Sequence, residues 1–193
     1  MCSDCYASCG GTIVGKKWIV TAAHCFEDMK PLRPETVYVE AGVVNQDDGS
    51  DFKQTFRCIK IHMHPKYDIA ERFDLDVAVL ELDKEIIYND YVRPLCLNEE
   101  ELKVGQECTV TGFGKTAENG DSSVYLKQAL MPIVSWDTCK QVMIDTLNLS
   151  IPTHTPTPTL FGCSQSHVFL HYTGVWLWLH RQHDMRWLSP RWY

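Results

Sequence analysis

The sequence has no run of basic residues, no apolar stretch long enough to cross a bilayer and no clear amphipathic helix. Because neutralising phosphates requires a basic surface, a net charge of −7 without such a run excludes a nucleic-acid partner. The apolar run Val175–Leu179 is far shorter than the roughly 20 residues that span a membrane, so we expect no membrane span. The first residues, Met1–Cys5, have neither the basic segment nor the apolar run of a signal peptide.

Metal and cofactor sites are also not indicated. The acidic loop at residues 45–51 lacks the regular ligand spacing of a calcium loop, so we interpret it as solvated. His167 and His171 are four residues apart, but no glutamate follows His167, so the metalloprotease helix pattern is not met. We therefore predict no metal ion and no cofactor.

What the chain does contain is cysteine and apolar sequence. Nine cysteines in 193 residues indicate an oxidising compartment, since cytosolic thiols are kept reduced. A hydrophobic fraction of 45% is enough for one globular unit with a sizeable core. The odd number of cysteines, together with the missing signal peptide, leads us to expect an incomplete chain.

Short apolar runs separated by polar turns predict an antiparallel barrel or sandwich, an all-β fold. The clearest predicted strands are residues 18–21, 36–39, 56–63 and 77–80. Within the third strand the apolar parity changes between Cys58 and Ile59, which predicts a β-bulge. His62 and His64 alternate with the apolar residues there, so we expect them to face away from the core.

Two segments carry chemistry. The first is Thr21-Ala22-Ala23-His24-Cys25, which follows Cys9-Gly10-Gly11, and the second is Asp76-Val77-Ala78-Val79-Leu80-Glu81-Leu82. They resemble the histidine and aspartate motifs of the trypsin/chymotrypsin family of serine endopeptidases. Three further segments occur in the order expected for that family: Val92–Leu97, Cys108–Gly114, and Leu130–Ser135 with Cys139. The resemblance covers residues 9–145.

The resemblance implies a double antiparallel Greek-key β-barrel, with a first barrel at residues 9–95 and the start of a second at residues 104–145. It implies that His24 is the general base and that Asp76 orients it; Asp74 is the neighbouring candidate, but Asp76 directly precedes the apolar strand. Without the flanking motifs, these two residues would be interpreted as a histidine at the core edge and an acid at a strand end.

The resemblance also implies connections and partners. It pairs Cys9 with Cys25, and it matches Cys96 to a position that bonds an upstream chain in many relatives. It further implies an extracellular location and, as partners, protein or peptide substrates or protease inhibitors.

The family's nucleophile segment, Gly-Asp-Ser-Gly-Gly, does not occur in the sequence. Ser164 and Ser166 lack flanking glycines and Ser189 precedes a proline, so none is a suitable nucleophile. The Ile-Val-Gly-Gly terminus that activates the family is missing before Cys9 as well. We therefore expect this chain to be inactive, because the oxyanion hole is lost together with the serine. The alternative is a non-catalytic homologue that binds protease partners or inhibitors.

Residues 146–193 differ in character from the rest of the chain. They include a Pro/Thr run at residues 150–159, and four of the six tryptophans fall at residues 176–193. We predict that this tail is disordered or non-native, as an out-of-frame read, a retained intron or an alternative terminal exon would produce. A membrane-surface or partner-binding tryptophan patch is the other interpretation.

Overall fold

The computed structural model describes residues 5–47, 51–69, 74–97, 102–117, 120–135, 137–138, 141 and 175–180. Eight strands lie in these ranges: β1 Cys5–Gly15, β2 Trp18–Thr21, β3 Val37–Ala41, β4 Gln54–Met63, β5 Ala78–Leu82, β6 Glu107–Gly112, β7 Lys127–Pro132 and β8 Val175–His180. Two 3₁₀ turns, Ala23–Phe26 and Pro34–Thr36, lie between β2 and β3. The predicted all-β fold is confirmed.

The strands form where the sequence alternates between apolar and polar residues. In β3 and β5 every second residue is buried, and these buried positions are valine, leucine or alanine. Successive side chains of a strand point to opposite faces, so this alternation gives each strand one face for the core and one for the surface. The four strands predicted from the sequence correspond to β2, β3, β4 and β5, and their ends differ from the prediction by at most two residues.

Six strands close into an antiparallel barrel in the order β1-β2-β5-β4-β3-β8. β1 and β2 form a hairpin across Lys16 and Lys17, with Gly15 opposite Trp18. β8 closes the barrel because it pairs with β1 on one side and with β3 on the other. The predicted first-barrel segment, residues 9–95, contains β2–β5 and most of β1, whereas the closing strand comes from beyond residue 145.

The β-bulge predicted within β4 is present. The register with β5 shifts between Cys58 and Lys60. Ile59 was expected to be on the inward face, but it is 53% exposed, while Ile61 is 8% exposed. The bulge therefore leaves Ile59 outside, and the inward face resumes at Ile61. His62 is exposed, as predicted, with Nε2 4.0 Å from Glu81 Oε2.

The barrel interior is filled by aliphatic and aromatic side chains from β1–β5, from the turns between them and from the segment that follows β5. The core consists of Ile13, Ile19, Ala23, Phe26, Met29, Val37, Val39, Ala41, Phe56, Cys58, Ile61, Ala78, Leu80, Leu82, Ile86 and Val92. Core residues lie on both sides of His24, and the strand that follows Asp76 begins in this core at Ala78.

The second sheet consists of β6 and β7, paired with each other from Glu107↔Pro132 to Gly112↔Lys127. It is tethered to the barrel by backbone bonds from Gln46 N to Val124 O and from Leu126 N to Val44 O. Every residue of β7 is exposed. The described part of the second barrel is therefore incomplete, as expected.

Val175–His180, within the tail predicted to be disordered or non-native, forms strand β8. Its partners, β1 and β3, lie more than 130 residues earlier in the sequence, so no local pattern indicates the pairing. The rest of residues 146–193, including Ser164, Ser166, Ser189, His167 and His171, lies outside the described residues. In the part of the chain that is described, no helix has the length and apolar character needed to cross a bilayer.

Candidate active site

His24 is held by the 3₁₀ turn Ala23–Phe26, which begins two residues after β2 ends. Ala23 and Phe26 are buried, so the turn is fixed to the core on either side of the histidine. Thr21, the last residue of β2, donates its hydroxyl to the backbone oxygen of Gly10 at 2.8 Å. This bond ties the end of β2 to β1 just before the chain turns toward His24. Thr21 lies within the histidine segment, but the motif alone gives no sign of this bond.

Asp76 is positioned by the strand that follows it. β5 is the neighbour of β2 in the barrel, and Thr21 pairs with Ala78 at the end of their ladder. The residues just after β2 and just before β5 therefore lie at the same edge of the barrel. The neighbouring acid, Asp74, is half-buried, and its backbone oxygen accepts the N–H of Asp68 at 3.0 Å.

Both oxygens of the Asp76 carboxylate bond to His24. The backbone N–H of His24 donates to Oδ1 at 2.8 Å, and ring atom Nδ1 lies 2.7 Å from Oδ2. Because an ionised carboxylate only accepts hydrogen bonds, Nδ1 carries the proton in this pair. The two bonds together fix both the tautomer and the orientation of the ring.

The two side chains differ in their exposure to solvent. The Asp76 side chain is fully buried, at 0% relative exposure, whereas the His24 side chain is 23% exposed. A buried carboxylate interacts strongly with a neighbouring hydrogen-bond donor because water does not compete for it. The pair therefore presents a fixed imidazole at the surface, with its carboxylate partner behind it.

A disulfide joins Cys9 to Cys25, the residue after His24, as the family resemblance implied. The Cα atoms are 6.4 Å apart, and the bridge connects β1 to the 3₁₀ turn. Cys9, His24 and Cys25 lie close enough together to suggest a metal cluster. However, the two sulfur atoms are bonded to each other and offer no thiolate, and the thiolate is the form that binds metal. The two cysteines therefore form a structural cross-link beside the histidine.

Three described cysteines are not in disulfides: Cys58 is buried, Cys96 is exposed and Cys108 is half-buried. Burial raises the pKa of the Cys58 thiol from its ordinary value of 9.0 to about 11, and its Sγ donates a hydrogen bond to the backbone oxygen of Lys60 at 3.2 Å. Cys58 is therefore a neutral thiol of the core. Cys96 has the exposure that a bond to another chain would need. Cys139 lies outside the described residues.

The chain is similar to known proteins in sequence and in fold. A model of the trypsin family matches residues 3–155, extending past the boundary at 145 that the motifs predicted. Ovochymase-2 of Mus musculus is similar, with 31% identity over 142 residues, which is 72% of this chain and 23% of the ovochymase. Clotting factor C of Tachypleus tridentatus is 32% identical over 146 residues, covering 70% of this chain and 14% of the factor.

A solved structure described as "Structure of GrC" has a similar fold. It superposes with a TM-score of 0.61 at 28% identity, over 69% of this chain and 56% of that chain. The chain therefore spans less than a quarter of the two curated relatives and just over half of the structural one.

Proposed function

Because this chain belongs to the trypsin family of serine proteases, we propose that His24 and Asp76 are the general base and the orienting carboxylate of a serine endopeptidase site. The proposal rests on two hydrogen bonds between Asp76 and His24. Oδ1 accepts the His24 backbone N–H at 2.8 Å, and Oδ2 lies 2.7 Å from ring atom Nδ1. A histidine that must accept a proton on one nitrogen needs the other held in a known protonation state.

In such a site the ring nitrogen Nε2 removes the proton of a serine hydroxyl as the hydroxyl attacks a peptide carbonyl. It then gives that proton to the leaving amine. Asp76 stays ionised throughout and stabilises the imidazolium that forms between the two steps. Its burial supports this role, because a carboxylate shielded from water interacts more strongly with the developing positive charge.

We further propose that this chain alone hydrolyses no peptide bond. The sequence lacks the Gly-Asp-Ser-Gly-Gly segment, which supplies the family with its nucleophile and the backbone donors for the oxyanion. A positioned base without these groups has no hydroxyl to activate and no donors to stabilise the tetrahedral intermediate. The chain thus has half of a proteolytic site, and its family resemblance supports the proposal of an extracellular location.

Labelling with a fluorophosphonate probe tests the absence of a nucleophile. The full chain and its His24→Ala variant are expected to show the same background labelling, beside an active trypsin-family protease as a positive control. Incubation with a mixed peptide library is expected to give no cleavage that depends on His24. Stoichiometric labelling of one serine, lost in His24→Ala, would refute the proposal.

The alternative function, non-catalytic binding of a protease or protease inhibitor, is supported by the exposed apolar residues of the second sheet. Leu130 is 66% exposed and Met131 is 50% exposed, on a strand with no buried residue. Biolayer interferometry with an immobilised reactive-loop protease inhibitor tests this function. Saturable binding that Leu130→Lys weakens, but that the exposed first-barrel change Ile87→Lys does not, would favour it; no binding by the native chain would reject it for this inhibitor class.

A further inference from the structure

β8 occupies a gap between two strands that do not pair with each other. β1 pairs with β2 and β8, and β3 pairs with β4 and β8, so the barrel is continuous only through β8. The ladder to β1 runs from Cys5↔His180 to Gly11↔Val175, and the ladder to β3 runs from Val37↔Leu179 to Glu40↔Trp176. Both ladders are antiparallel. An inserted strand therefore satisfies backbone groups on two edges at once.

We infer that the gap between β1 and β3 is a docking site for an extended six-residue segment, and that residues 175–180 of this chain are its exchangeable occupant. This inference concerns the barrel and does not rest on the proposed proteolytic function. The occupant is joined to the rest of the barrel by more than 90 residues after β5. A ladder of backbone hydrogen bonds, with alternate positions for apolar side chains, is a general way for a protein to bind an extended peptide.

The register defines what the gap accepts. Residues directly opposite in an antiparallel pair lie on the same face of the sheet. Leu177 is opposite Val39 and Leu179 is opposite Val37, and both valines are fully buried at 0% exposure. Val175, at the next position on that face, is opposite Gly11, which is also buried. The first, third and fifth positions of the occupant therefore belong to the core face and are aliphatic in this sequence.

The second and fourth positions of the occupant are opposite residues of a different kind. Trp176 is opposite Glu40, and Trp178 is opposite Tyr38. Glu40 and Tyr38 are both half-buried and lie on the outer face of β3. These positions of the occupant therefore belong to the outer face. A polar residue is expected to be tolerated at Trp178 and not at Leu177, since only the latter position shares the core face.

Occupancy of the gap also bears on the position of His24. Leu177 is opposite Cys9, which is bonded to Cys25 beside His24. Trp176 is opposite Gly10, whose backbone oxygen accepts the Thr21 hydroxyl. The part of β1 that β8 covers is the part that holds the histidine turn. An empty gap would leave this stretch of β1 with one unpaired edge, and fluctuations there would reach His24 through the disulfide.

Hydrogen exchange on the full chain tests the inference with two matched variants, Leu177→Lys and Trp178→Lys. In Leu177→Lys we expect amide protection in β1 and β3 to fall at least tenfold while protection in the β2–β5 ladder is retained. In Trp178→Lys we expect protection in β1 and β3 to stay within about twofold of the native chain. Equal protection of β1 and β3 in both variants would overturn the inference.

A synthetic peptide of residues 174–181 tests exchange directly. We expect it to bind the Leu177→Lys chain saturably, to restore protection in β1 and β3, and to bind the native chain at least tenfold more weakly because the gap is already filled. The same peptide with Lys at position 177 is the control. Where Leu177→Lys does not fold, refolding with the peptide is expected to recover it. Failure of the native peptide to bind or to rescue, or equal effects of both peptides, would contradict the inference.

Discussion

At the scale of single residues, the Asp76 carboxylate is the group with the most specific surroundings. It is buried, it precedes β5, and it accepts two hydrogen bonds from a residue 52 positions earlier. Removing it leaves the His24 backbone N–H and ring nitrogen without their acceptor in a site from which water is largely excluded. The cost of an unsatisfied buried donor, rather than the strength of the bond itself, then sets the effect of a substitution.

We therefore expect Asp76→Ala to lower the free energy of unfolding by about 1–3 kcal/mol. We also expect a far-downfield Nδ1 proton resonance of His24 in the native chain, which should disappear in Asp76→Ala. Urea denaturation and proton NMR measure the two effects. Asp74→Ala is the matched control, because the hydrogen bond from Asp68 N–H to Asp74 uses the backbone oxygen of Asp74 and is kept in the variant. Equal losses of stability in the two variants would argue against a special role for Asp76.

Cys58 gives a pH-dependent prediction. Its pKa is raised by burial from 9.0 to about 11, so the unfolded chain loses the thiol proton at lower pH than the folded chain does. The contribution of this thiol to stability is complete below pH 9 and is lost as the pH rises from 9.0 to about 11.

We expect the stability of the native chain to fall more steeply over that alkaline range than that of Cys58→Ala, whose lower baseline reflects a small cavity. Denaturation at a series of pH values measures the two slopes. Site-resolved alkylation at pH 8 is a second check, in which exposed Cys96 should react quickly and Cys58 only on unfolding. Parallel stability curves for the two chains would show that the Cys58 thiol does not titrate differently on folding.

At the scale of elements, the predicted strands agree with the observed ones because the alternation of apolar and polar residues is contained within each strand segment. The bulge in β4 shows where that local information ends. Ile59 is apolar, so the pattern placed it inside, but the register with β5 shifts between Cys58 and Lys60 and leaves Ile59 outside. Which residue of a bulge is extruded depends on the partner strand, and the partner is not visible in a local pattern.

The turn after β3 depends on glycine for two separate reasons. Gly42 has a φ of +76°, and a Cβ atom there would lie 2.6 Å from the backbone oxygen of Phe52. We expect Gly42→Ala to destabilise the fold by more than the roughly 1–2 kcal/mol that left-handed backbone costs a residue with a side chain. The excess arises from the backbone clash, which cannot be relieved by rotating a side chain.

Two further glycines separate the cost of backbone strain from the cost of the clash. Gly105 has a φ of +83° but open space around its Cβ position, so Gly105→Ala should cost only the strain of the backbone. Gly114 has open space and no positive φ, so Gly114→Ala should change stability by less than about 0.5 kcal/mol. Thermal and urea denaturation of the three variants should rank them in this order. A Gly42→Ala chain no less stable than Gly105→Ala would contradict the expected clash.

At the scale of the whole molecule, the closed barrel and the second sheet differ in how much they bury. Among the described residues between 104 and 135, the buried apolar side chains are Phe113 and Ile133. A two-stranded sheet is marginally stable on its own, and its unpaired edges can recruit other chains. Within the described ranges, the barrel therefore pairs all of its strands, whereas the second sheet has one strand pair and two outer edges without a partner strand.

We expect the full chain to associate as its concentration rises, through β6 and β7. Leu130 and Met131 are adjacent in β7, so they lie on opposite faces, and both are exposed. The double variant Leu130→Lys/Met131→Lys should shift the population toward monomer in sedimentation velocity, because like charges oppose the contact. Ile87→Lys, an exposed change on the barrel at 71% exposure, is the control. A native chain that stays monomeric across the concentration series would refute this prediction.

The sequence by itself determined strands β2–β5, the all-β class and the identity of His24 and Asp76 as the residues to examine. These depend on the alternation of side chains and on short motifs, which are local properties of the chain. Only the tertiary structure decided that the Asp76 carboxylate forms hydrogen bonds with both the backbone and the ring of His24. It also decided that residues 175–180 close the barrel. Backbone hydrogen bonds between distant strands carry no residue code of their own, so a segment that resembled an unstructured tail gave no sign of its partners.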